Sequence, residues 1–476
     1  MQTLPFTLRI PIEESLRFAR LSGDYNPLHL NAEMARRMRF GTTVVHGMHT
    51  CLAVLEQWLA NNPQPIALSS IQVQFFRPVP SGASMVVNLD EATDHRLRWT
   101  LRAEGRKSGR MQVSWVDRPS QEDDSRIAAP EAPFPDICQV RTLEQVRDLS
   151  GQSRAVLDRH LLAALFPALE RGLHAQALAV LLAATRLIGM ECPGRDALFA
   201  GFSIRFDHAW PGDSALRYRI IQVDERIDRV VVALSGSGAE GELEAFFCPP
   251  PVRQSGMEEI HDQLRGRSWG AMRALIVGGS RGLGELTAKL IAAGGGEVAI
   301  SHCLGYRDAR RVQEEIRAWG GSCTLFAHDV LNPDAGDPFP MADSATHLFY
   351  FASPRIQLDP WGGWKPELFQ TYCRYYVTGF LETVKRMART GPHPTPLKIF
   401  YPSTLFLDRP EAGAAEYAAA KAAGEAVCHH LKHQYPYMTC DAARLDRTLT
   451  DQTASMPHLT TDPLRLMMER MQRLTD

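Results

Sequence analysis

Charge of one sign, paired cysteines and long oily runs are all scarce in this chain of 476 residues. Its 52 lysines and arginines nearly balance 54 aspartates and glutamates, for a formal net charge of −2. That balance gives no electrostatic pull toward nucleic acid or an anionic membrane. No apolar run approaches the roughly 18 residues that a membrane span requires. The most apolar stretch, Ala177–Ala184, is flanked by His174 and Arg186 and reads as a buried core helix. Nine cysteines contain no C-x-x-C pair, and the odd, scattered count argues against a disulfide framework and for a reducing cytosol. Met1–Arg9 lacks the basic-then-apolar layout of a signal peptide. The expectation is a cytoplasmic protein with no nucleic-acid and no membrane partner.

The length predicts about three domains. Blocks 1–125, 130–250 and 270–476 are separated by Pro130, Pro133 and Pro135, then by Pro249-Pro250-Pro251 and Gly256. Such clusters favour extended linkers over packed elements. The first two blocks read as a diverged repeat. Leu21-Ser22-Gly23 recurs as Leu149-Ser150-Gly151, and His46 recurs as His174, both at an offset of 128. Each block then has an apolar helix followed by strands of alternating apolar and polar residues, the pattern of a sheet with one buried face. Pro80 and Pro211 mark equivalent turns at an offset of 131.

The most specific signal is the run Phe18 to His29, containing Gly23-Asp24-Tyr25-Asn26-Pro27-Leu28-His29, followed by Val45-His46-Gly47-Met48. A carboxylate and an imidazole five residues apart suit acid/base work on one water. The stretch resembles the MaoC-like (R)-specific enoyl-thioester hydratase/dehydratase family. The resemblance implies an α+β hot-dog fold, here in two copies, with Asp24 and His29 as the acid/base pair and Gly47 at the oxyanion hole. Backbone N–H groups at a helix start are apt donors to an enolate-like oxygen. An offset of 128 maps Asp24 onto Gln152 and His29 onto Leu157, so the second copy reads as degenerate, shaping the acyl tunnel. His46, repeated in a half without the pair, reads as structural.

The third block opens with an apolar strand, Ala274–Val277, then Gly278-Gly279-Ser280-Arg281-Gly282-Leu283-Gly284 and a helical run. Glycines let backbone approach a pyrophosphate while the helix N-terminus faces it. Ala327-His328-Asp329 reads as the strand end beside adenine. Ser403 ends another strand, and Tyr417 and Lys421 share a helix face four residues apart. Together these resemble the short-chain dehydrogenase/reductase family, an α/β Rossmann doubly wound parallel sheet. The resemblance implies Tyr417 as proton donor with its pKa lowered by Lys421, Ser403 holding the carbonyl oxygen with Thr404 as alternative, and Lys421 on the nicotinamide ribose. The strand ending at Ser301-His302 has no carboxylate, and Arg281 lies in the glycine loop, so NADP(H) is the expected cofactor. The chain departs from the family pattern at Phe351-Ala352-Ser353 and at Tyr376, where a catalytic Asn is common. About 30 residues follow Asp446, too few for the usual final helix and strand. His429 and His433 have metal-ligand spacing without a further ligand, and Trp361-Gly-Gly-Trp364 reads as a loop near the reductase site.

The preferred reading is a bifunctional enzyme on acyl-CoA or acyl-carrier-protein thioesters: reduction of a 3-oxoacyl group, then dehydration to the trans-2-enoyl thioester, as in fatty-acid or polyketide assembly. The oxidative direction, and a scaffold that binds ligands without turnover, remain open. So does the oligomeric state, with pairing through the Tyr417/Lys421 helix as one arrangement.

Overall fold

The computed structural model describes residues 5–38, 40–117, 127–207, 213–248, 250–264, 266–358, 362–389, 396–454 and 459–475. The readings of Met1–Leu4, Pro211, Pro249 and Trp361 lie outside the described residues. The chain divides into two compact units, Met1–Pro250 and Pro251–Asp476.

The first unit begins with β1 (Phe6–Arg9), α1 (Ile12–Ser22), α2 (Pro27–Leu30), α3 (Ala32–Ala35) and α4 (Gly47–Asn61). Strands β2 (Ile66–Phe75), β3 (Ser84–Thr93), β4 (Arg96–Ala103) and β5 (Arg106–Asp117) follow. It continues through α5 (Leu143–Val146), β6 (Ser150–Arg154), α6 (Arg159–Leu165), α7 (Pro167–Gly172), α8 (Ala175–Arg186) and a π-helical turn, Leu187–Glu191. Then come β7 (Ala197–Phe206), β8 (Ala215–Asp224), β9 (Arg229–Gly236) and β10 (Ala239–Phe247). All ten strands form one antiparallel sheet in the order β1-β3-β4-β5-β2-β7-β10-β9-β8-β6.

From the middle outward that order is the same arrangement twice. The halves meet where Gln72 of β2 pairs with Ser203 of β7. These residues are 131 apart, the offset that relates Pro80 to Pro211, so at the centre a residue pairs with its own counterpart. That is the signature of a two-fold interface within one chain. Ile71 and Val73 are buried while Gln72 and Gln74 are exposed, and Phe202 and Ile204 alternate likewise with Ser203 and Arg205. The buried face lies on α4 and α8, and all twelve residues of α8 are buried, nine of them apolar and Gln176, Thr185 and Arg186 polar. One apolar cluster runs from Phe18 to Ala245. Blocks 1–125 and 130–250 therefore share a single core. Among the described residues no helix is long and apolar enough to cross a membrane.

The offset of 128 fails upstream of the two helices. Leu21-Ser22-Gly23 closes α1, with Gly23 left-handed at φ 75°, whereas Ser150-Gly151 lies in β6. In the sheet β6 takes the place of β1: Arg9 pairs with Ser84, and Arg154 pairs with Ala215. Arg9 is 37 positions before His46, but Arg154 is only 20 before His174. The second copy is thus 17 residues shorter in the stretch that carries Asp24 and His29 in the first. Gln152, paired with Arg217 in β6, is no counterpart of Asp24, and Leu157 is none of His29. The pair is lost by shortening, not by substitution.

The second unit holds α9 (Met257–Leu264), β11 (Arg273–Val277), α10 (Gly282–Ala293), β12 (Glu297–His302), α11 (Tyr306–Ala318), β13 (Ser322–Ala327) and β14 (His347–Tyr350). After these come α12 (Pro366–Cys373), a π-helical segment Arg374–Gly379, α13 (Phe380–Ala388), β15 (Leu397–Thr404), α14 (Ala415–Gln434), β16 (Met438–Leu445) and α15 (Pro463–Thr475). The parallel sheet has the order β13-β12-β11-β14-β15-β16, which is the doubly wound 3-2-1-4-5-6 arrangement. Two expectations are corrected. The unit starts at 251 rather than 270, because Met257, Ile260 and Leu264 of α9 pack into its core. A final helix, α15, is present, while no seventh strand occurs among the described residues.

Candidate functional site

Asp24 follows the left-handed end of α1 and is buried. Its Oδ2 accepts a hydrogen bond from the Thr185 hydroxyl at 2.7 Å, and its Oδ1 accepts from the Asn26 N–H at 3.3 Å. Asn26 caps α2 by accepting from the Leu28 N–H at 3.0 Å, with Pro27 at the first helical position. Its amide also donates to the carbonyls of Gly189 (3.0 Å) and Arg195 (3.1 Å). Arg186 donates to the Ser22 carbonyl at 3.1 Å. The loop is therefore fastened along the end of α8 and the turn beyond it. A Cβ at Gly189 would stand 2.3 Å from Asp24 Oδ1, so only glycine leaves room for the carboxylate.

His29 Nδ1 lies 2.8 Å from the Val44 carbonyl, which assigns the proton to Nδ1 and leaves Nε2 as a lone-pair base. His46 stacks on it, with ring centroids 3.8 Å apart and planes 27° apart. Its Nε2 donates to the Asp24 carbonyl at 3.0 Å. One carboxylate oxygen of Asp24 and one nitrogen from each ring all lie within 4.8 Å of one another. That spacing accommodates one water making two hydrogen bonds of ~2.8 Å each. It suits a cation poorly, because stacked rings aim their in-plane lone pairs side by side rather than at a common point. Burial raises the Asp24 carboxyl above its ordinary range, opposed by His29 and by the hydrogen bonds from Thr185 and Asn26. Burial lowers His29, so the ring is neutral near pH 7. It takes His46 well below its usual value and His49, one turn into α4, to about 3.

Gly47 opens α4 directly after His46, whose side chain does not cap the first N–H groups of the helix. Of the residues singled out by the sequence motif, Asp24 and His29 come together here, and Gly47 opens α4 beside His46. The motif missed Thr185, Arg186, Gly189 and the part played by His46. The one trace was a polar Thr185-Arg186 pair ending an otherwise apolar helix.

In the second unit Gly278 stands at φ 83°, and a Cβ at Gly284 would lie 2.2 Å from the Gly278 carbonyl oxygen. The Gly278 N–H donates to the Ser301 hydroxyl at 2.9 Å, and Ala352 N would lie 2.9 Å from a Cβ on Gly278. Ser280 is buried and Leu283 packs against the core. Arg281 caps α10 through its backbone without a side-chain hydrogen bond to the helix. These features fit the pyrophosphate of a dinucleotide, and the absence of a carboxylate at Ser301-His302 fits a 2′-phosphate. Two expectations shift. Asp329 Oδ1 accepts from the Leu331 N–H at 2.9 Å, so its carboxylate turns its own loop. Arg281 is engaged by Asp451, at 3.3 Å.

The proton-transfer residues are arranged differently from expectation. Ser403 donates to Glu425, which Arg444 holds in turn. It is Thr404 that hydrogen-bonds Tyr417. Consecutive residues of a strand point apart, so β15 can present only one of the two. Burial pushes the Tyr417 phenol up, and the Thr404 bond offsets this only in part. The Lys421 ammonium donates to the Pro402 carbonyl at 2.6 Å and lies 3.9 Å above the Tyr376 ring, against 5.9 Å from the centre of the Tyr417 ring, so its charge is not directed at the Tyr417 phenol alone. Burial lowers Lys421 to about 7. Tyr376, at the position where an Asn was sought, pairs its hydroxyl with Ser353 at 2.7 Å. His429 and His433 belong to no three-ligand cluster among the described residues.

Residues 2–107 match the family described as MaoC like domain, so the chain carries a MaoC-like domain at its N-terminus. It is 38% identical over 81 residues to peroxisomal multifunctional enzyme type 2 of Drosophila melanogaster, covering 16% of this chain and 13% of that one. It is 38% identical over 82 residues to 3-hydroxyacyl-thioester dehydratase X of Mycobacterium tuberculosis (17% and 28%). With 3-hydroxybutyryl-CoA dehydratase of Methylorubrum extorquens the identity is 36% over 76 residues (16% and 48%). The chain thus spans less than half the length of each of these relatives. Among solved structures it resembles a short chain dehydrogenase from Burkholderia cenocepacia in complex with NADP, at 21% identity and TM-score 0.35, covering 41% of this chain and 87% of that one. It also resembles the angucycline C-6 ketoreductase LanV with bound NADP, at 18% identity and TM-score 0.37 (42% and 86%). At such scores the doubly wound assignment rests on strand order alone.

Proposed function

We propose that the chain is a bifunctional acyl-thioester enzyme whose first unit, a double hot-dog, interconverts (R)-3-hydroxyacyl and trans-2-enoyl thioesters. The observation that carries this reading is the pairing of buried Asp24 with half-buried His29, spaced for one water beside an uncapped helix end, within a MaoC-like segment. In the hydration direction the pair takes a proton from that water as its oxygen attacks Cβ, and returns a proton to Cα. In dehydration the same steps run backward, so the pair ends as it began. The N–H groups at Gly47 stabilise the enolate-like oxygen. Substrate carried on CoA or on a carrier protein fits equally well.

The second unit is assigned as an NADP(H)-dependent reductase of the 3-oxoacyl thioester. Bound NADPH supplies hydride. Tyr417, with Thr404 in place of Ser403, delivers the proton to the carbonyl oxygen, and the glycine loop with Ala352 lines the nucleotide crevice. The buried, tyrosine-stacked Lys421 and the raised Tyr417 phenol favour a second reading, in which this unit binds nucleotide but turns over slowly or not at all. A single assay separates them. Purified chain given a 3-hydroxyacyl thioester is expected to gain enoyl absorbance, and given a 3-oxoacyl thioester with NADPH it is expected to consume NADPH and yield hydroxy and enoyl products. Enoyl formation without NADPH loss leaves the dehydratase and removes the reductase. No enoyl formation, or full activity in Asp24→Asn, removes the dehydratase.

A further inference from the structure

Doubly wound sheets take a dinucleotide in the crevice where strand order reverses, here between the loops that follow β11 and β14. In this chain the segment Thr448–Ala454, which follows β16, is fastened to both of those loops. On the glycine-loop side, Thr450 Cγ2 would lie 3.7 Å from a Cβ at Gly282, and Asp451 Oδ2 accepts from Arg281 Nη1 at 3.3 Å. Asp451 Oδ1 accepts from the Val252 N–H at 2.8 Å. On the other side, the Asp451 carbonyl accepts from Arg355 Nη1 at 3.2 Å, and Gln452 Oε1 accepts from the Ile356 N–H at 2.7 Å. Gln452 Nε2 donates to the Ser353 hydroxyl at 3.4 Å. A carboxylate only 8% exposed thus sits beside the start of α10, where negative charge is favoured.

We propose that Asp451 is a built-in competitor for the 2′-phosphate of the cofactor, occupying Arg281 until that group takes its place, and that this exchange sets the preference between NADPH and NADH. A phosphate dianion offers the guanidinium more charge and more acceptor oxygens than one carboxylate, so the exchange favours the phosphorylated cofactor. NADH, lacking that group, must bind with Arg281 still held by Asp451. The proposal rests on the dinucleotide reading above and adds a residue that the glycine motif does not contain.

Calorimetric titration of the full chain with NADPH and with NADH tests it, comparing the parent with Asp451→Asn. Asparagine keeps an acceptor for the Val252 N–H but loses the charge on Arg281. The variant is expected to bind NADPH about tenfold more tightly and NADH by a smaller factor, widening the preference. Unchanged or weaker NADPH binding in the folded variant overturns the proposal while leaving the dinucleotide reading intact. Hydrogen exchange on the parent tests it without any variant. The amides of Gln452 and Thr453 bond within the segment, to the Thr450 hydroxyl and carbonyl, and NADPH is expected to speed their exchange. Exchange that is unchanged while NADPH binds also overturns it. A parent that binds neither nucleotide at millimolar concentration overturns the dinucleotide reading as well.

Discussion

His46 and His174 precede the two central helices with nearly the same backbone angles, −58° and 132° against −60° and 130°. Their rings do different work. His174 Nδ1 accepts the Gln176 N–H at 3.3 Å and caps α8. His46 turns Nε2 to the Asp24 carbonyl, leaves the start of α4 uncapped, and keeps Nδ1 buried without a partner. Each copy has given up something the other keeps. The first carries buried titratable groups and an open helix end. The second lacks the stretch that carries Asp24 and His29 yet supplies the hydroxyl on Asp24, the space for its carboxylate, and the carbonyls that hold Asn26. A half that reads as degenerate in sequence is a structural part of the site.

The comparison is broken most severely by Asp24→Asn. If Asp24 exchanges protons with water as proposed, its removal is expected to lower kcat for dehydration by about 10³. It should also raise stability at neutral pH. Burial raises the Asp24 pKa, so the folded state binds more protons than the unfolded state above the ordinary value of 3.8, and the charged form weakens the fold as pH rises through the native pKa. A higher melting temperature with lost activity is the expected pair of results, and unchanged kcat would end the assignment. Gly189→Ala tests the support from the second copy. Its methyl would meet Asp24 Oδ1 at 2.3 Å, so the carboxylate must move. A fall in kcat of about 10², with the far-ultraviolet spectrum retained, is expected for an ångström-scale misplacement.

Copy one also differs from copy two in acid sensitivity. His49 stacks on Phe18 with centroids 4.6 Å apart, and its pKa is held at about 3 by burial against an ordinary 6.5. The unfolded chain therefore binds a proton that the folded one refuses. The contribution of the neutral ring is present above pH 6.5 and is lost as pH falls from there toward 3. By pH 5 this single group weakens the first unit by about 2 kcal/mol, with His29 and His46 acting in the same direction and Asp24 against all three. The position 128 on from His49 is Ala177, so α8 has no matching group. His49→Met, which fills similar space, is expected to flatten the fall in melting temperature between pH 7 and pH 5. An equal slope in the variant would move the acid sensitivity elsewhere.

How much of this was legible follows from sequence distance. Asp24, Asn26 and His29 lie within six consecutive residues that lead into α2, and the glycine run lies in one strand-turn-helix, so local pattern exposes both. The repeat was visible at 131 through the strand-turn-strand segments, where pleat and turn residues fix register. The match at 128 misled because Leu-Ser-Gly can end a helix or enter a strand. Thr185 lies 161 positions from Asp24, and Asp451 lies 170 from Arg281. Nothing local to either announces its partner. Ser403 and Thr404 are adjacent and face opposite sides of β15, and which of them meets Tyr417 is set by the packing of α14, not by local pattern.

The smallest effect is also the most selective. In Thr185→Val the Asp24 carboxylate loses one hydrogen bond while the shape of the side chain is kept. A fall in kcat of about tenfold is expected, the scale of one hydrogen bond to a charged group. Packing alone could produce that much, so the pH profile decides. The Thr185 bond stabilises the carboxylate and lowers its pKa, against the larger effect of burial. Without it the Asp24 limb of the kcat profile moves to higher pH. Thr185→Ser, which restores the hydroxyl, returns that limb to its original place even if a cavity leaves the protein less stable. A profile that stays fixed in Thr185→Val, or that Thr185→Ser fails to restore, would make Thr185 a packing residue and leave the acid/base pair to the first copy alone.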